Sequence, residues 1–227
     1  DSWAKEITDR CLPWLAKKVD PQLKISTSGC VSCALGLTKT ARTRNEFCLM
    51  LYKGLHPLVA SDSRRELATQ IFQGQTLPGD PFLLYSDGSS DSFLQYLDDA
   101  GFAIKLDSMR HDRRRPFVLT ANAQANRDVV ASWLHQNNRQ PFIVIGPDGC
   151  GKESLIRLAL EVDSSSQVAI LHCNAQSSAS SLHEALHAHC VLVSSAKGRV
   201  FRPKNKDNLV LYLKGMNLPT PDKVNDS

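Results

Sequence analysis

No stretch of this chain is apolar for long enough to cross a bilayer as a helix. The longest strongly apolar run, Phe47 to Tyr52, is far shorter than the roughly 18 residues that such a helix needs, so a soluble protein without membrane insertion is expected. Cysteine is sparse as well. Seven are present, an odd number and well below the density of secreted disulfide scaffolds, which points to reduced thiols in a cytosolic compartment. Charge of one sign is also missing: 27 Lys and Arg against 23 Asp and Glu leave a net charge of +4, too little for a nucleic-acid platform or a basic tail, and no nucleic-acid partner is expected. A charged-then-apolar leader is absent, the chain opens Asp1-Ser2-Trp3, and its first methionine is Met50, so it reads as an excerpt of something longer. No internal repeat or low-complexity tract appears. What is present is 42% hydrophobic residues over 227 positions, enough for a sizeable core and, at roughly 150 residues per domain, for one domain and a large part of another.

The apolar residues Trp3, Ile7, Cys11 and Leu15 recur at four-residue spacing and predict a helix over 3–19, with Pro13 expected to bend it or end its first half. Further helices are expected over 46–55 and over 63–72, the latter with Leu67 and Ile71 turned inward. Residues 1–75 therefore read as a small helical unit. Turn residues dominate Pro78-Gly79-Asp80-Pro81 and the cluster from Asp87 to Asp91, so 76–115 reads as a connector with short elements, ending in the basic run Arg110 to Arg115, a solvated linker face. From Pro116 the pattern changes to short strands alternating with amphipathic helices. Asn122 is expected to cap a helix to about Gln136 that buries Val129, Val130, Trp133 and Leu134. A strand over 141–145, a Gly-rich turn, a helix over 151–162, a strand over 168–173 and a helix over 180–189 follow. Strand segments at 191–194 and 200–201 around Lys197-Gly198 come next, and a last strand is expected at 209–213. This order is the opening of a parallel α/β sheet.

The sharpest motif is Gly146-Pro147-Asp148-Gly149-Cys150-Gly151-Lys152, a G-x-x-x-x-G-K phosphate loop between an apolar strand and an amphipathic helix. Glycines let backbone N–H groups turn toward phosphates, the helix N-terminus adds the positive end of its dipole, and Lys152 can reach the β- and γ-phosphates. The residue after the lysine should be Ser or Thr, whose hydroxyl holds Mg²⁺. Here it is Glu153, and Ser154 lies one position late, about 100° round the helix. A carboxylate beside a polyphosphate opposes its binding, so the residues point either to weakened binding of ATP or ADP with little support for Mg²⁺, or to an empty structural loop. In such folds magnesium and water activation come from acidic residues at the end of a second apolar strand. The strand Leu209 to Leu213 is followed by Lys214 and Gly215 instead, while Asp207 precedes it and Asp222 lies well beyond. A lysine there repels Mg²⁺ and a glycine cannot polarise water, so catalytic residues for useful ATP hydrolysis are not expected.

These residues together resemble one family. The loop GPDGCGK, the segment VAILHCNAQSSASSLHEAL and the segment GRVFRPKNKDNLVLYLKGMNLPTPDK are similar to the third AAA+ module of dynein heavy chains, most of all in the branch that drives retrograde intraflagellar transport. Asn217-Leu218-Pro219 matches the N-[LM]-P that dyneins carry after the second strand, and Arg199 to Pro203 the strand and turn before it. Residues 116–138 resemble the entry into the large subdomain that flanks the adenine, and 47–72 the helical lid that ends the preceding module. The resemblance implies an incomplete P-loop NTPase (AAA+) parallel sheet preceded by a small helical lid subdomain, with 1–75 the lid of the second module, 76–115 a connector and 116–227 a partial large subdomain. It implies a place in a six-module ring of a minus-end-directed microtubule motor in cytoplasm and cilium, whose partners are the rest of the ring, intermediate and light chains, and microtubules. It makes Gly146 to Ser154 a structural or regulatory nucleotide site, and Lys214 and Gly215 a degenerate acidic motif. The sensor strand, arginine finger, stalk and third-module lid would lie outside the segment.

Other constellations favour plain readings. Cys30-x-x-Cys33 lacks a second pair at zinc spacing and reads as two buried thiols. His183 and His187 stand at i, i+4 with His189 nearby but without the H-E-x-x-H order, and read as solvent-facing. Cys150 at a helix N-terminus is a candidate reactive thiol. Trp3, Trp14 and Trp133 read as core. A stand-alone P-loop ATPase or kinase-like enzyme is the alternative function, disfavoured by Lys214-Gly215, and an inert scaffold lies between the two.

Overall fold

The computed structural model describes residues 2–19, 34–36, 38–39, 41–88, 92–98, 118–134, 141–162, 165–195 and 198–220. Cys30, Cys33, the Arg110 to Arg115 run and Asp222 lie outside them. Two compact units are present, 1–162 and 163–227.

The first unit is built on helices. α1 (Ser2–Lys18) buries Ile7, Cys11 and Leu15, the i, i+4 stripe that the sequence predicts. It continues through Pro13 to Lys18, so of the two outcomes expected of Pro13 the ending of the first half does not occur, although Pro13 offers no N–H to the ladder. α2 (Arg44–Leu55) starts at Thr43, whose hydroxyl accepts from the Glu46 N–H at 3.2 Å, while the Glu46 carboxylate accepts from the Arg42 N–H at 2.7 Å. These bonds satisfy N–H groups that the helix ladder leaves free. α3 (Arg64–Ile71) turns Leu67 and Ile71 inward, and its Gln70 carbonyl accepts from Arg10 Nε at 2.8 Å. The three helices share one core, in which Ile7, Leu15, Leu55, Leu67 and Ile71 are among the largest fully buried side chains. Burying each is worth about 1.5–3 kcal/mol.

Two short strands, β1 (Leu84–Tyr85) and β2 (Leu94–Gln95), pair antiparallel, and Phe82, Leu84 and Tyr96 around them belong to the same core. α4 (Ala121–Leu134) begins one residue earlier than its expected cap. Thr120 Oγ1 accepts from the Ala123 N–H at 3.2 Å and the Asp98 carboxylate from the Ala121 N–H at 2.7 Å, so the capping role given to Asn122 falls to these two. Ala121, Ala125 and Val130 are the buried residues of α4; Val129, Trp133 and Leu134 are only half-buried, a second correction. Trp3 and Trp14 are likewise half-buried against the core. Residues 141–147 form no strand, against expectation. A strand exists only where its backbone groups find a partner, no described segment pairs with this one, and Ile143 and Ile145 stay exposed at 71% and 77%. α5 (Lys152–Val162) follows, with Ile156 and Ala159 buried.

The second unit holds a parallel pair, β3 (Ser166–His172) beside β6 (Asn208–Lys214), in register from Ser166 opposite Asn208 to His172 opposite Lys214. Parallel neighbours need a long crossover, supplied here by α6 (Ala179–His189) and the antiparallel hairpin of β4 (Cys190–Ser195) and β5 (Gly198–Pro203). Lys204 ties off the C-terminus of α6: its Nζ donates to the Ala188 carbonyl at 2.7 Å and its N–H to His189 at 3.1 Å, a cation where the helix dipole favours one. His183 and His187 are exposed, and the His187 ring meets Phe201 edge-on at 5.0 Å. Mixed helices with a small parallel sheet agree with an incomplete P-loop NTPase fold.

Candidate nucleotide site

Gly146 to Gly151 form an exposed loop that runs directly into α5. Gly149 and Gly151 have φ of +77° and +85°, left-handed values that a side chain would strain, and Gly151 therefore stands before the helix and not within it. A Cβ at either glycine would meet no atom within 4 Å, whereas one at Gly146 would meet Cys150 Sγ at 3.0 Å and Lys152 Cδ at 3.6 Å, so it is backbone conformation and not crowding that asks for glycine at 149 and 151. Lys152, the first residue of α5, curls back over the loop. Its ammonium donates to the carbonyls of Gly146 at 2.6 Å and Pro147 at 2.5 Å, and lies 3.7 Å from Cys150 Sγ. Cys150 itself is exposed. The glycines, the helix N-terminus and the ammonium fit a polyphosphate, provided Lys152 exchanges these carbonyls for phosphate oxygens.

The donor set for a metal fits less well. Glu153 and Ser154 are both exposed, and Glu153 Oε1 pairs with Arg157 Nη2 at 3.4 Å along the next turn of α5. The guanidinium offsets the carboxylate charge that opposes an anion, modestly because both groups face water. Glu–Arg at i, i+4 is readable in the sequence, and it is the site interaction that motif matching overlooks.

In the second unit the strand pair ends where the degenerate acidic motif is expected. Lys214 is the last residue of β6, opposite His172, and its carbonyl accepts from the Cys173 N–H at 2.8 Å. Gly215 then reverses the chain at φ +70°, closed by a bond from the Leu218 N–H to its carbonyl at 2.9 Å. A Cβ at Gly215 would approach Leu218 Cδ1 to 3.0 Å and the Cys173 carbonyl oxygen to 3.4 Å. The position after the lysine is thus shaped for glycine.

Among the described residues no helix is long and apolar enough to cross a membrane. A family model described as the P-loop containing dynein motor region matches residues 114–227, and one described as the AAA+ ATPase domain of cytoplasmic dynein 2 heavy chain 1 matches residues 1–74. Relatives that bear the name cytoplasmic dynein 2 heavy chain 1 align along nearly the whole chain. The Caenorhabditis elegans protein is 38% identical over 98% of this chain, that of the sea urchin Tripneustes gratilla 34% over 98%, and the human protein 32% over 98%. The chain spans 5% of the length of each of these relatives. With a phosphate loop opening α5, the N-L-P turn after β6 and these matches, the chain belongs to the dynein heavy chain motor family and is similar along its length to the cytoplasmic dynein 2 heavy chains.

Proposed function

We propose that residues 146–154 bind ATP or ADP as a regulatory site of a dynein motor ring and that this segment does not hydrolyse it at a useful rate. The observation that carries the reading is the contrast between the two motifs: a loop with left-handed glycines and a lysine at the helix start, against a second strand that ends in Lys214 and a left-handed Gly215. Backbone N–H groups of 149–152 would face the phosphates, with Lys152 supplying charge. Magnesium would ordinarily neutralise the β- and γ-oxygens; here Glu153 stands where a hydroxyl would hold it, and its carboxylate is paired with Arg157. Residues 1–75 would then be the lid of the preceding module, 76–115 a connector and 116–227 the partial large subdomain, a division supported by the separate family matches at 1–74 and 114–227. In the parent motor the nucleotide would clamp this module against its neighbours and pass strain round the ring, in minus-end-directed ciliary transport along microtubules with intermediate and light chains.

The test is nucleotide affinity of the motor ring read at this site, with and without Mg²⁺, before and after Lys152→Ala. A loss of affinity in the variant, with little dependence on Mg²⁺, is expected. Unchanged affinity would leave an inert scaffold.

A further inference from the structure

A described cavity of the first unit lies away from the phosphate loop. It encloses 660 Å³ between α2, α3, the turn at Asp80 to Phe82 and α4, within the range of small-molecule sites. One wall is aromatic. The His56 ring lies 4.5 Å from that of Phe82 at an interplanar angle of 31°, with Tyr52 at 5.8 Å from His56. Arg64 and Arg65 enter from α3, and Asn122 and Asn126 from α4. Among the described lining residues Asp80 is the one acidic group, against Arg64 and Arg65, which leaves a single positive excess. Arg64 Nε is enclosed and has no hydrogen-bond partner among the described residues. A buried donor left unpaired is costly, and a charged one more so, unless something binds it. Burial and then the Arg64 cation hold the His56 imidazole down at about 4, against an opposing contribution from Asp80, so the aromatic wall is neutral at physiological pH.

We infer that this cavity binds a small phosphate-bearing anion, with Arg64 as its charged anchor, the two asparagine amides as additional donors and the His56–Phe82 face as the surface for any planar part. A guanidinium suits phosphate better than an ammonium does, since its planar fork makes two parallel bonds. The shared chemistry is the phosphate group, carried by free phosphate or by a mononucleotide. The site is separate from the loop at 146–152, and it stands or falls without the nucleotide reading given above.

The experiment uses the whole chain carrying Lys152→Ala, which removes the ammonium of the other phosphate site, labelled with ¹⁵N and titrated separately with inorganic phosphate and AMP. Saturable movement of the Arg64 Nε–H resonance, with an upward shift of the His56 titration as the anion stabilises its charged form, is expected for at least one probe. Tighter binding of AMP would assign the aromatic wall to a base, and equal binding would assign the site to free phosphate. Arg64→Ala should weaken the affinity about tenfold or more. If neither resonance moves with millimolar probe, or if Arg64→Ala binds equally well, the inference is overturned.

Discussion

Replacing Gly215 tests whether the missing acidic residue is a simple loss or is built into the turn. Its φ of +70° places it where L-residues pay about 1–2 kcal/mol. The added Cβ would meet Leu218 Cδ1 at 3.0 Å and a backbone carbonyl oxygen at 3.4 Å. Leu218 is 55% exposed, so its methyl can swing away cheaply, whereas the carbonyl of Cys173 is held where the Cys173 N–H bonds Lys214. Backbone strain therefore dominates, and Gly215→Ala should destabilise the chain by about 1–2 kcal/mol, with Gly215→Asn milder because Asn tolerates the left-handed region. At an m-value of about 2 kcal/mol per molar, the urea midpoint should fall by roughly 0.5–1 M. Lys214→Asp combined with Gly215→Glu should inherit the same loss and gain no ATPase activity while Glu153 remains. A Gly215→Ala midpoint equal to that of the original chain, or a double variant that turns over ATP, would refute the argument.

Tyr96→Phe removes a half-buried bond in which the Tyr96 hydroxyl donates to Asp128 at 2.5 Å, and thermal unfolding should report a cost of about 1–2 kcal/mol. Lys53, buried with its ammonium 4.8 Å over the Tyr96 ring, is held down to about 8 by burial, against an opposing contribution from Asp128. Its ordinary value is 10.5, so the unfolded chain binds the extra proton between those limits and this contribution to stability rises as pH climbs from about 8 to 10.5. Lys53→Met should abolish that rise when the two pH profiles are subtracted. Thr43→Ala should cost about 1 kcal/mol by chemical denaturation, through loss of the α2 cap. Ile71→Ala, which opens the core where three helices meet, should cost about 2–5 kcal/mol in the same assay.

Periodicity made α1, α3 and α5 legible, because Ile7-Cys11-Leu15 and Leu67-Ile71 each trace one helical face whatever lies opposite. The phosphate loop was legible for a similar reason: its glycines act through local backbone freedom. The segment at 141–145 was not, because a strand is a property of two segments and its partner is absent among the described residues. Phe82, Leu84 and Tyr96 were equally hidden, since each sits in a short apolar run within a turn-rich stretch, without helical periodicity, and becomes core only by packing on the helices. The same holds for the cavity around Arg64 and for Asp128, which receives bonds from Tyr96 and from its sequence neighbour Arg127. Tyr96 and Asp128 converge from positions 32 apart, and no local spacing records that.

The unpaired run at 141–147 bears on how the chain behaves as a material. A segment with three β-branched residues in a row, Ile143, Val144 and Ile145, of which the two isoleucines are bare, offers a template for another copy. Concentrated solutions should thicken and shed protein through this run first, and a short peptide of matching strand chemistry should act as a plug that keeps the chain dispersed.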